Sequence, residues 1–81
     1  SDSEQRIGIT LIRLAEELGT IKRGHVTVQN LPYQQDLANM AGTSRETVSR
    51  TLKLFEDKAL VKRENRDLKI YNFDDFRQAF S

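Results

Sequence analysis

Four side chains on one short segment have the types and spacing to read a double helix: Arg45, Glu46, Ser49 and Arg50. A guanidinium donates two hydrogen bonds in a fork that matches O6 and N7 of guanine, and a carboxylate accepts from the amino group of cytosine. Such a set favours G·C pairs, and the small Ser49 permits close approach. Two of the four also have purely structural readings. Glu46 lies three residues after Thr43, as in a capping box, and Arg50 lies four residues after Glu46, as in an intrahelical ion pair. Neither reading accounts for Arg45, or for Lys53 on the same stripe. Both can hold together, with Glu46 orienting Arg50 while the two meet a base pair.

A second set could hold phosphates without reading sequence. Lys62, Arg63 and Arg66 cluster late in the chain, Lys53 extends the stripe, and Thr43 and Ser44 offer hydroxyl and backbone N–H groups where a helix would begin. These six are the expected phosphate contacts. Solvation alone also makes hairpins basic, and that is the competing reading of the late cations, Lys69 included. Charge distribution agrees with a binding face: residues 1 to 21 hold two basic and four acidic side chains, whereas residues 43 to 69 hold eight basic and five acidic, a net +3 in a chain of net +1.

Catalytic chemistry has no comparable set. With no cysteine and a single histidine among 81 residues, thiolate nucleophiles, disulfides, iron-sulfur ligation and a Cys-based zinc site are excluded within this segment. His25 has no ligand or base partner at useful spacing and reads as a turn residue. The acidic pairs Glu16-Glu17, Glu56-Asp57 and Asp74-Asp75 are adjacent, mostly on helices, where neighbours diverge by about 100° and share no site. No enzyme activity, metal or cofactor is expected in this domain. A chain this short buries roughly 60% of its unfolded surface, which leaves little room for a deep cavity. There is no apolar run of about 18 residues and no basic-then-apolar leader, so an aqueous compartment is expected and a membrane is not.

The elements that must position these residues follow from periodicity. Ile7, Leu11, Leu14, Ala15 and Leu18 stripe a helix over residues 3–18, which Gly19 is expected to end in a left-handed conformation. Residues 20–22 and 25–30 read as strands about an Arg23-Gly24 turn. A short helix over 33–40 ends at Ala41-Gly42, and Thr43 or Ser44 caps the next, residues 45–57. On that helix Thr47, Val48, Thr51, Leu52, Leu54 and Phe55 take one arc, opposite Arg45, Glu46, Ser49, Arg50 and Lys53. Residues 61–64 and 68–73 form a basic hairpin about Asn65-Arg66. A closing helix is capped by Asp74, with Phe76, Ala79 and Phe80 on one side, and Met40, Phe55 and Phe73 are further core candidates. The fold class is mainly α with small β hairpins, a winged helix-turn-helix, with the 45–57 helix in the major groove. A winged-helix protein-interaction module without DNA binding is the alternative, and would predict an apolar presented face.

The run from Gln35 to Leu52 resembles the DNA-binding signature of the Crp/Fnr family of bacterial transcription regulators, with Ser44-Arg45-Glu46-Thr47-Val48-Ser49-Arg50 its most specific part. The similarity continues through Phe55 to Val61 and spans about Gln5 to Tyr71. It implies a cytoplasmic, sequence-specific regulator that binds double-stranded DNA as a homodimer, on a palindrome whose half-sites carry a TGA core. By the same resemblance Arg45 and Arg50 contact guanines and Glu46 reads the C·G pair. Ser49 matches the oxygen-responsive branch of the family, while Arg45 is typical of the cyclic-nucleotide branch. Residues 19–24 match a loop that contacts RNA polymerase in some activators. Two departures stand out. Tyr33 occupies a slot usually held by a Ser or Thr cap and reads as a packing residue, with a phosphate hydrogen bond as the second reading. The effector domain and dimerisation helix of such regulators are absent, so residues 1–81 read as a single C-terminal domain.

Overall fold

Asp2 and Glu4 complement the positive end of a helix dipole, and Ile7, Leu11, Leu14 and Ala15 supply a buried stripe, so the chain opens with α1 (Asp2–Leu18). The computed structural model describes residues 2–81. Leu18 does not join the stripe; it is 63% exposed at the helix end. Gly19 is not left-handed either, since the glycines with positive φ are Gly24 and Gly42. A Cβ on Gly19 would lie 2.4 Å from both the Ala15 carbonyl oxygen and Val26 Cγ1. Lack of space, not handedness, selects glycine there.

The hairpin β1 (Thr20–Lys22) and β2 (His25–Val28) turns at Arg23 and Gly24, whose φ angles of 54° and 81° fit the right-handed twist of paired strands. His25 is therefore the first strand residue rather than a turn residue, half-buried with its ring edge-on to Tyr71 at 5.9 Å. Strand β2 ends at Val28, two residues earlier than its alternation suggested, and the chain enters α2 (Gln34–Ala41) past Pro32. Gly42, at φ 71°, closes α2: its own N–H and that of Thr43 both reach the Ala38 carbonyl. Met40 is a correction to the expected core, 53% exposed on the outer side of α2.

Ser44 then caps α3 (Arg45–Asp57), accepting from the Thr47 N–H. That helix ends in the same manner as α2, with Ala59 at φ 59° and Leu60 N–H bonded to the Phe55 carbonyl. The wing follows as β3 (Val61–Glu64) and β4 (Asp67–Ile70), and α4 (Phe73–Ala79) closes the chain. Its cap is Asn72, which accepts from Asp75 N–H, and not Asp74; Ala79 is exposed.

Both hairpins belong to one antiparallel sheet of order β1-β2-β4-β3. Val26 and Val61 face Ile70 from either side and Val28 faces Leu68, which gives the sheet one apolar face. That face joins Leu11, Leu37, Val48, Leu52 and Phe55 from the helices in a single core. Phe55 meets Phe76 edge-on at 5.6 Å and Phe80 at 5.2 Å, so α4 closes the core from below α3.

Gly8 sits inside α1, where glycine is ordinarily worth about 0.5–1 kcal/mol less than alanine. A Cβ at this position would lie 2.5–2.8 Å from the ring of Phe80. Gly8→Ala should therefore destabilise the domain, by about 1–3 kcal/mol in denaturant unfolding, through displacement of that ring. Truncating Phe80 in the same chain should abolish the extra cost of the alanine.

Candidate nucleic-acid interface

Helix α3 turns its buried side, Val48, Thr51, Leu52 and Phe55, to the core. Arg45, Glu46, Arg50 and Lys53 are exposed on the opposite arc, and Ser49 is half-buried between them. The arc spans about 140° at 3.6 residues per turn, and Arg45 and Arg50 are separated by about 7.5 Å of helix axis. That is about two base-pair steps of a duplex.

The structural bonds anticipated for Glu46 and Arg50 take another form. The cap is a Ser44–Thr47 pair: Ser44 Oγ accepts from Thr47 N–H at 3.1 Å and lies 2.8 Å from the Thr47 hydroxyl. This pulls Thr47 to the helix entrance, where it is only half-buried, as is Leu54. Glu46 faces Arg45 at 3.5 Å rather than Arg50. Arg50 Nη2 instead donates to Thr47 Oγ1 at 3.3 Å, and no carboxylate lies within ion-pair distance of it among the described residues. Thr43 is half-buried, its N–H committed to Ala38.

The cations expected to meet phosphates, Lys53 on α3 and three on the wing, occupy distinct environments. Lys53 Nζ is 3.6 Å from Asp57, and Lys62 Nζ is 3.9 Å from Glu64, both on open surface. Arg63 is engaged differently: its Nε and Nη2 donate to Glu56 Oε1 at 3.0 and 2.7 Å, and its backbone N–H donates to Oε2. This clamp ties the last turn of α3 to the base of the wing. Arg66, at the wing tip, donates to the Leu31 carbonyl at 2.9 Å and lies over the ring of Tyr33. Arg45, Glu46, Ser49, Arg50 and Lys53 are thus brought together on one face, whereas Lys62, Arg63 and Arg66 belong to a separate arm fastened beside it.

Glu56, which the sequence offers only as half of an adjacent acidic pair, finds its partner seven residues away across a helix end. The side-chain hydrogen bond from Arg63 holds its carboxyl below the ordinary value of 4.5; partial burial opposes this, and the Arg63 N–H and the charges of Arg63 and Lys53 add to it. With the folded value lower than the unfolded one, the unfolded chain binds more protons in between. The stabilisation is complete above 4.5 and is lost as pH falls through the folded value. The two side chains are 31% and 30% exposed, so the clamp is worth about 1 kcal/mol. Glu56→Gln should cost about that much at neutral pH, and the gap from wild type should close in acid unfolding curves.

Among the described residues no three His, Cys, Asp or Glu side chains group as a metal site, and no helix is long and apolar enough to cross a membrane.

A helix entered through a tight glycine turn, with its polar face outward and a hairpin fastened alongside, defines a winged helix-turn-helix. The chain belongs to the Crp-like helix-turn-helix domain family, which matches residues 5–79. It is 38% identical over 60 residues to the nitrogen fixation regulation protein FixK of Azorhizobium caulinodans, covering 73% of this chain and 24% of FixK. It is 30% identical over 70 residues to the CRP-like cAMP-activated global transcriptional regulator of Mycobacterium tuberculosis, covering 86% of this chain and 31% of that protein. The chain thus spans about a quarter to a third of the length of these relatives. Its fold also matches the CO-dependent transcription factor CooA of Carboxydothermus hydrogenoformans, with a TM-score of 0.84 at 23% identity over 99% of this chain and 37% of CooA.

Proposed function

We propose that this chain is the DNA-binding domain of a bacterial, cytoplasmic transcription regulator of the Crp/Fnr type, and that α3 reads G·C pairs of a TGA-containing half-site from the major groove. The observation that carries this reading is Arg50: an exposed guanidinium on the polar face of α3, held by the Thr47 hydroxyl and opposed by no carboxylate among the described residues. Four of its five N–H donors remain available to pair with guanine. Arg45, Glu46 and Ser49 complete the base-reading set. Thr43, Ser44, Lys53, Lys62 and Arg66 serve the phosphates, while Arg63 contributes chiefly by fixing the wing to α3 through Glu56.

The relatives' greater length supports a second assignment: a separate effector domain and dimerisation helix bring two such domains together on a palindrome, about 34 Å apart. The β1–β2 hairpin, whose first strand is exposed along its length, is assigned to RNA polymerase contact in an activating regulator. A polar α3 face with two arginines disfavours the protein-docking alternative. Selection from random duplex DNA by this domain fused to a dimerising helix tests the reading. Enrichment of paired TGA half-sites one helical turn apart is expected. Recovery of unbiased sequence would refute base reading by α3.

A further inference from the structure

The tip of the wing is held by an aromatic ring. Arg66 Cζ lies 4.1 Å above the centroid of Tyr33, Nη1 reaches the Tyr33 hydroxyl at 3.4 Å, and Nη2 donates to the Leu31 carbonyl at 2.9 Å. Two further bonds fix the same junction: Leu31 N–H donates to the Arg66 carbonyl at 2.7 Å, and Asn30 N–H to the Asp67 side chain at Oδ1, 3.1 Å. Tyr33 is 64% exposed, so the stack is not a core contact.

Most cations of the interface are paired with an acid; among the described residues Arg66, like Arg50, is not. Arg45, Lys53, Lys62 and Arg63 each face a carboxylate. Arg66 faces none within ion-pair distance among the described residues. A ring face orients a guanidinium without cancelling its charge, as a carboxylate would. Two of the five guanidinium N–H donors are occupied, leaving others for a ligand. An arginine already immobilised also loses less rotamer freedom when it binds.

We propose that Tyr33 is a positioning residue that holds Arg66 as a preset phosphate ligand, so that the wing tip grips the DNA backbone at a fixed reach from α3. This rests on the DNA-binding reading above. It gives a physical role to the aromatic residue that stands where a capping Ser or Thr is usual, at the uncapped entrance of α2.

The test is titration of the 81-residue chain with TGA-containing half-site and unrelated duplexes between about 50 and 200 mM salt, alongside thermal unfolding of each variant. Tyr33→Leu should weaken binding to every duplex by about 3- to 10-fold and make the plot of log affinity against log salt shallower by about one. Tyr33→Phe, which keeps the ring, should stay within about 2-fold of wild type. Arg66→Ala should match Tyr33→Leu, and the double variant should lose no more than either. A Tyr33→Leu variant that melts earlier but keeps the wild-type salt slope would show a structural role only and overturn the proposal, as would additive losses in the double variant. Wild-type binding with a normal salt slope and no sequence preference would remove base reading by α3 while leaving the clamp intact. A wild-type slope near zero would remove both.

Discussion

Arg50→Ala is expected to lower affinity for a G·C-containing half-site by about 1–3 kcal/mol, or about 5- to 150-fold, and to erase preference at one base pair. The size follows from losing a forked pair of hydrogen bonds in a groove where the guanine acceptors are then left without a protein partner. Arg50 is exposed, and the hydroxyl of Thr47 is its hydrogen-bond partner, so the folded domain loses almost nothing. Unfolding free energy should move by less than about 0.5 kcal/mol. Binding to unrelated duplexes should change far less than binding to the preferred site. Equal weakening on all sequences would instead make Arg50 a phosphate contact, and an unchanged base preference would remove it from the reading set.

The largest effect on stability should come from the other side of the same helix. Phe55 is 1% exposed and touches the rings of both Phe76 and Phe80. Phe55→Ala removes the ring on which α4 rests and opens a cavity between α3, α4 and the sheet. The expected cost is about 3–5 kcal/mol, against a total of about 4–12 kcal/mol for a domain of this length. Thermal unfolding should fall by more than about 12 °C, since each kcal/mol shifts the midpoint of a small domain by about 4–8 °C. A drop of only a few degrees would mean that Phe76 and Phe80 collapse into the space and that the aromatic cluster is not the keystone of this core.

The helices and the presented face were legible because they depend on local periodicity. Val48, Leu52 and Phe55 recur at helical spacing, and the residues between them are long and charged, so the polar face of α3 could be read directly. Membership in a regulator family followed from a run of seven residues at the start of that helix. What stayed hidden depends on where distant segments return. Nothing local announces that β2 pairs with β4, fusing two hairpins into one sheet, because strand order is a long-range choice. Met40 and Ala79 looked like core residues because they are apolar and near periodic positions, yet no element covers them. Nothing around Gly8 in the sequence signals that the ring of Phe80 lies against it. In the site, Glu56 and Tyr33 carried no recognisable spacing, since their partners Arg63 and Arg66 come from the other side of a turn and from the wing tip.

The two ends of the chain meet. Gln5 Nε2 donates to the Phe80 carbonyl at 2.7 Å, Arg77 pairs with Glu16 at 3.7 Å, and Phe76 and Phe80 complete a cluster begun by Phe55. No amino-terminal fragment that stops before residue 80 contains the whole interior. The core that backs α3 is therefore complete only when the segment through residue 80 is present, so the local periodicity of α3 is not enough by itself to fix its outer surface.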